Sequence, residues 1–110
     1  MLTFFECRAS GAIIGKTFAF GGCPAGQVIS IRSAEVGYDR LWNPPTCSWQ
    51  SAICRRSIAA HAAITRCNGQ RSCSIRQTIL IYPQGGVAKL CDKQRDGNYI
   101  NIKYNCVTGT

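Results

Sequence analysis

Acidic residues are scarce in this chain: 110 residues carry only five, Glu6, Glu35, Asp39, Asp92 and Asp96, beside a single histidine and a single methionine. Glycoside hydrolysis needs two carboxylates facing one bond, and the sequence sets no pair of these five in a recognisable pocket. No glycine-rich loop follows a strand in the pattern that cradles phosphates. His61 lies in an alanine-rich segment with no partner recognisable in the sequence, and is read as structural or exposed. Zinc fingers want close cysteine pairs such as C-x2-C, and the tightest pair here is Cys67 and Cys73, with five residues between them. DNA binding finds neither zinc-finger spacing nor a basic heptad helix. No enzyme activity, metal or other cofactor is therefore expected, and no nucleic-acid partner.

Long apolar runs are missing too. No stretch approaches the roughly 18 apolar residues that a membrane helix requires, so membrane insertion is not expected. The apolar opening Met1-Leu2-Thr3-Phe4-Phe5 is too short for a signal peptide, and the chain is read as a mature form. No Asn-x-Ser/Thr sequon occurs. Neither an internal repeat, a low-complexity tract nor a linker divides the sequence, so residues 1–110 are read as one domain.

What the chain has in excess is cysteine and arginine. Eight cysteines in 110 residues point to an oxidising compartment, and so to a secreted, extracellular protein. Their even number allows full pairing, in roughly a hundred ways, and spacing alone does not choose among them. Asn68-Gly69 between Cys67 and Cys73 suits a disulfide across a turn. With all eight able to pair, none is expected to act as a nucleophile.

The formal charge is +8, and nine of the thirteen basic residues are arginine. Arg55, Arg56, Arg66, Arg71 and Arg76 occupy a stretch free of acids. Such a bias suits sulfate, phosphate or a sialic acid carboxylate, and it equally suits a solvated face that serves solubility and steering.

The clearest strand is C-terminal, where Ile100, Ile102, Tyr104 and Cys106 alternate with Asn101, Lys103 and Asn105; one face is read as buried, the other as wet. It is placed at a sheet centre or inner edge. Further strands are read over Val28–Arg32, Thr17–Phe20 and Ile75–Tyr82. A short helix fits between Ser57 and Arg66, where alanine is dense and glycine and proline are absent. Turn chemistry marks Cys23-Pro24-Ala25-Gly26, Asn43-Pro44-Pro45, Asn68-Gly69, Tyr82-Pro83-Gln84-Gly85-Gly86 and Asp96-Gly97. Trp42 and Trp49 flank Cys47, as rings packed over a disulfide in preference to a stacking platform. The fold class is α+β: a small disulfide-rich domain of antiparallel β-sheets with short helices.

The order of these cysteines and their neighbours resembles the galactose/rhamnose-binding lectin domain of the sea-urchin-egg type, found also in latrophilin-type receptors and at the end of plant β-galactosidases. The resemblance spans nearly the whole chain. It rests on Cys7; on Cys23-Pro24-Ala25-Gly26 followed by Val28-Ile29-Ser30-Ile31; on Ala34 to Arg40 as a variant of the family's ANYGR segment; on Arg66-Cys67-Asn68-Gly69-Gln70-Arg71-Ser72-Cys73; on Asn98-Tyr99-Ile100 in place of KYL; and on Lys103-Tyr104-Asn105-Cys106. It implies the pairings Cys7 to Cys47, Cys23 to Cys106, Cys54 to Cys91 and Cys67 to Cys73.

The same resemblance implies a hexose pocket built from a Glu after the first cysteine, the Tyr of ANYGR, and an Asp and a Lys around DPCxGTxKYL. This chain departs at most of those places. Arg8 stands for the Glu, Lys89-Leu90 for Asp-Pro, and Asn98 for the Lys. Without a gap Val36 takes the tyrosine's place; with a two-residue insertion, the register preferred here, Tyr38 and Arg40 recover the Tyr and Arg. Candidate carbohydrate-binding residues are thus Arg8, Tyr38, Asp39, Arg40, Lys89 and Asn98. Arg8 and Lys89 turn the pocket basic, which suits an acidic or modified sugar. The function expected is non-catalytic recognition of galactose-like, rhamnose-like or acidic glycans on cell or microbial surfaces, by an agglutinating homodimer. The alternative is an extracellular protein-interaction or matrix module that keeps the fold without the sugar pocket.

Overall fold

The computed structural model describes residues 1–7, 17–39, 52–76 and 99–109, with Cys7, Asp39 and residues 52–54 described by backbone alone. Among these residues six strands run β1 (Leu2–Cys7), β2 (Thr17–Gly21), β3 (Gln27–Asp39), β4 (Ala52–Ser57), β5 (Ser72–Arg76) and β6 (Tyr99–Thr108). One helical turn, α1 (Ala62–Thr65), lies between β4 and β5. The larger sheet has the order β1-β6-β3-β4 and the smaller pairs β2 with β5, all antiparallel. No helix among the described residues is long and apolar enough to cross a membrane.

The sheets face each other across one core. Phe18, Phe20, Cys73 and Ile75, alternate residues of β2 and β5, are buried against Ile29, Ala34, Val36, Ile100, Ile102 and Tyr104 of the large sheet. Aromatic contacts join the layers: Phe4 of β1 lies 6.3 Å from Phe18 and 5.6 Å from Phe20, and Phe20 lies 5.3 Å from Tyr104. Full burial of side chains of this size contributes about 1.5–3 kcal/mol each.

A strand as long as β3 keeps one apolar face only if its alternation is phased along its length. Ile29 and Ile31 face the core at odd positions, while Ala34 and Val36 do so at even ones. The change of phase is a bulge: Ile31 pairs with Tyr104 and Ser33 with Lys103, leaving Arg32 without a counterpart on β6. One extra residue flips every later side chain to the other face. Ser33 and Glu35 are thereby turned outward.

Cys23, just beyond β2, is bonded to Cys106 of β6, and so ties the small sheet to the large one. The second described bond, Cys67 to Cys73, closes the turn between α1 and β5. Both are pairings that the family resemblance implies. The other two, Cys7 to Cys47 and Cys54 to Cys91, lie outside the described residues. The segment between Cys67 and Cys73 also lines the edge of β3. The Ile29 N–H donates to the Gln70 carbonyl at 2.7 Å, the Gly69 N–H to the Ile29 carbonyl at 3.0 Å, and the Ile31 N–H to Asn68 Oδ1 at 2.7 Å. Gly21 is required where β2 ends: its φ is +107°, and a Cβ would sit 2.8 Å from Ile29 Cδ1.

Several expectations need correction. The short helix read between Ser57 and Arg66 is there as a single turn, Ala62–Thr65, while Ser57 belongs to β4 and the Ile58 N–H donates to the Ala34 carbonyl at 2.9 Å. The plural helices of the expected fold class reduce to this one among the described residues. His61 is its N-cap, with Nδ1 accepting from the Ala63 N–H at 3.0 Å. The strand sought from Ile75 begins earlier, at Ser72, and positions 77–82 lie outside the described residues. The apolar opening of the chain is a strand, β1, which the sequence reading did not assign, and β4 was missed as well. The C-terminal strand sits between β1 and β3 as expected, but its outward face is not uniformly wet: Asn101 is only 6% exposed.

Candidate functional site

On the face of the large sheet turned away from the core, its four strands present alternate residues in register. Phe5, Asn101, Glu35 and Ser57 form one row across β1, β6, β3 and β4. The next row, toward the bulge, holds Thr3, Lys103 and Ser33; the row on the other side holds Tyr99, Gly37 and Arg55. Within these rows a hollow of about 330 Å³ opens, lined by Ser33, Ala34, Glu35, Arg55, Ser57, Asn101 and Lys103.

Beside this hollow Tyr99 crosses β3. The Tyr99 ring is fully buried, and a Cβ on its cross-strand neighbour Gly37 would fall 2.5 Å from ring atoms Cε2 and Cζ and from the hydroxyl. Only glycine leaves room for it. Phe5 flanks the same ring at a centroid distance of 6.0 Å. Aromatic bulk thus stands next to Asn101 on two sides, by register along β6 and across to β1.

Asn101 is the unusual member. It is the one polar side chain among the buried residues described, and its Oδ1 is shielded from solvent without a hydrogen-bond partner. A buried carbonyl left unpaired costs about 1–3 kcal/mol, and such groups in folded proteins ordinarily find a donor. Around it stand two hydroxyls, one carboxylate and two cations. Glu35 and Lys103 are half-buried; Arg55 and Ser57 are exposed. This set can accept from hydroxyl or amide donors at Asn101 and Glu35, and donate from Ser33, Ser57, Lys103 and Arg55.

Most of the sequence-predicted pocket lies outside the described residues. Arg8, Arg40, Lys89 and Asn98 lie outside the described residues, and of Asp39 only the backbone is described, at the end of β3. Tyr38 is half-buried on β3, opposite Cys54 and on the alternate set to Ser33 and Glu35; it does not line the hollow. The five arginines from Arg55 to Arg76 are all exposed, and Arg71 donates through Nε to the Cys23 carbonyl at 3.2 Å. Of these, the hollow takes only Arg55. Among the described residues no group of three or more His, Cys, Asp or Glu could hold a metal ion. Sequence reasoning passed over the hollow because Ser33, Glu35, Asn101 and Lys103 read as an ordinary solvated strand face. No protein-family model and no curated protein matches this chain.

Proposed function

We propose that this protein is a non-catalytic, extracellular carbohydrate-binding module and that the outward hollow of its large sheet is a sugar site. The observation that carries the reading is the hollow itself, in which hydroxyl, carboxylate and cationic groups converge around Asn101, a buried amide whose Oδ1 lacks a donor. Sugar hydroxyls meet Glu35, Ser57 and Ser33 by mixed donation and acceptance. Among the described residues Glu35 is the only carboxylate lining the hollow. The disulfide from Cys23 to Cys106, and that from Cys67 to Cys73, fit an oxidising, extracellular setting. The lectin-domain resemblance supports the same class of ligand, galactose-like, rhamnose-like or acidic.

The test is binding of the oxidised chain to a broad glycan set that includes neutral, methylated, sialylated and sulfated sugars, with elution by free sugar. Binding that free sugar reverses, and that Asn101→Leu abolishes while Tyr38→Ala leaves it, supports the hollow. Loss with Tyr38→Ala and retention with Asn101→Leu moves the site to the position that the family resemblance implies. Absence of all glycan binding favours the protein-interaction or matrix module. A single shallow sugar site binds weakly, so agglutination calls for at least two sites per particle. The proposed particle is a homodimer, and light scattering with a cell-agglutination assay tests it.

A further inference from the structure

The hollow is not evenly charged, and its asymmetry bears on which sugars it takes. One carboxylate, Glu35, occupies the middle row opposite both Asn101 and Ser57. Lys103 lies two residues along β6 from Asn101, in the row where Ser33 is its cross-strand neighbour. Alternate residues on a strand are about 6.7 Å apart, close to the span between substituents on opposite sides of one pyranose ring. A single hexose can therefore reach both positions at once. Lys103 is half-buried and has no carboxylate partner among the described residues, and the hydroxyl of Ser33 is a second donor beside it. A half-buried ammonium with no carboxylate paired to it among the described residues favours an anion over water more strongly than an exposed one does. Glu35 repels that anion from the middle row and so fixes the end at which it sits.

We infer that the hollow selects a hexose bearing an anionic substituent, with the anion held by Lys103 and Ser33 and the ring set over the Asn101 and Glu35 row. This rests on the carbohydrate-binding reading above. Carboxylate and sulfate share the chemistry, and they differ in geometry: a carboxylate is planar with two oxygens, a sulfate tetrahedral with three. Arg55 stands at the far corner, beyond the middle row, and is not needed for the contact.

The experiment compares three ligands on the oxidised full chain: a neutral hexose, its C6 uronate and its 6-sulfate, each at about 150 mM salt so that general attraction to a +8 protein is screened. Wild type is expected to bind at least one anionic form about tenfold more tightly than the neutral sugar, and the tighter of the two identifies carboxylate or sulfate as the natural group. Lys103→Met, which keeps most of the apolar stem, is expected to bring the anionic and neutral ligands to within about twofold of each other. Circular dichroism on the variant confirms that it is folded, and Lys103→Arg is expected to retain the preference. Inorganic sulfate at the same concentration should not compete. Equal binding of all three ligands by wild type, or a preference that survives Lys103→Met, overturns the inference and leaves the carbohydrate reading standing. Failure of wild type to bind any of the three, with a blank glycan screen, overturns the carbohydrate reading itself.

Discussion

The two sheets turn outward faces of similar composition to opposite sides of the molecule, and the faces behave differently. On the small sheet Thr17, Ala19, Ser72, Ser74 and Arg76 alternate with core residues, and every one of them is exposed. On the large sheet Ser33, Glu35, Ser57, Asn101 and Lys103 alternate with core residues in the same way, yet Asn101 is as buried as much of the core and Glu35 and Lys103 are half-buried. Polar alternation thus tells which side of a strand faces away from the core. It does not tell whether that side meets water. A polar group on an outward face that water does not reach must be paired or held ready for a partner, and Asn101 Oδ1 is unpaired.

The comparison is broken outright by separating the sheets. Cys23 and Cys106 join them across 83 residues of chain, and removing a bond that closes so long a loop is expected to cost about 4 kcal/mol. Cys67 and Cys73 close only six residues, where the same argument gives a smaller loss. Urea denaturation of Cys23→Ser/Cys106→Ser against Cys67→Ser/Cys73→Ser measures the difference. Equal losses would mean that neither bond acts through chain closure. Ile102→Ala comes next: a fully buried residue under both sheets is emptied, for an expected loss of about 2–5 kcal/mol, with the outward faces untouched.

How much of this the sequence disclosed follows from the range over which each signal acts. The alternation of Ile100, Ile102 and Tyr104 is local, and it correctly marked the inner face of β6. Thr17–Phe20 and Val28–Arg32 were legible for the same reason. The Ile31 to Ala34 step was not, because a bulge is settled by the neighbouring strand: Arg32 becomes the extra residue only once Ile31 meets Tyr104 and Ser33 meets Lys103. The short helix between Ser57 and Arg66 was legible from propensity, but its start was not, because it lies beyond the end of β4 and the tertiary bond from the Ile58 N–H to the Ala34 carbonyl. The hollow was illegible altogether. Its residues come from three strands that the sequence keeps far apart, and the burial of Asn101 depends on what surrounds the strand, which no local pattern carries.

Asn101→Leu sharpens the comparison from the functional side. The two side chains are close in size, and the substitution removes an acceptor that has no donor and an amide buried with it. Stability is expected to stay unchanged or rise by about 1 kcal/mol, because the unsatisfied group no longer has to be desolvated. Glycan binding is expected to be lost. That pairing of outcomes, a protein at least as stable and no longer able to bind, is what separates a retained binding group from a structural one. A loss of stability of several kcal/mol would instead show that Asn101 is held by bonds the fold needs.

Ser74→Ala supplies the smallest effect and the control. Ser74 lies on the exposed face of β5 opposite Ala19, with its neighbours at alternate positions equally exposed, so its hydroxyl is already satisfied by water and nothing packs on it. Replacement exchanges one small solvated group for another, and the expected change in stability is within about 0.5 kcal/mol, in the range of surface substitutions far from caps, cavities and buried networks. Glycan affinity should also be unchanged, measured beside Lys103→Met in the same titration. The two variants together decide which outward face is used. If Ser74→Ala lowered affinity while Lys103→Met did not, the ligand would lie on the small sheet, and the buried acceptor on the large one would need a different partner.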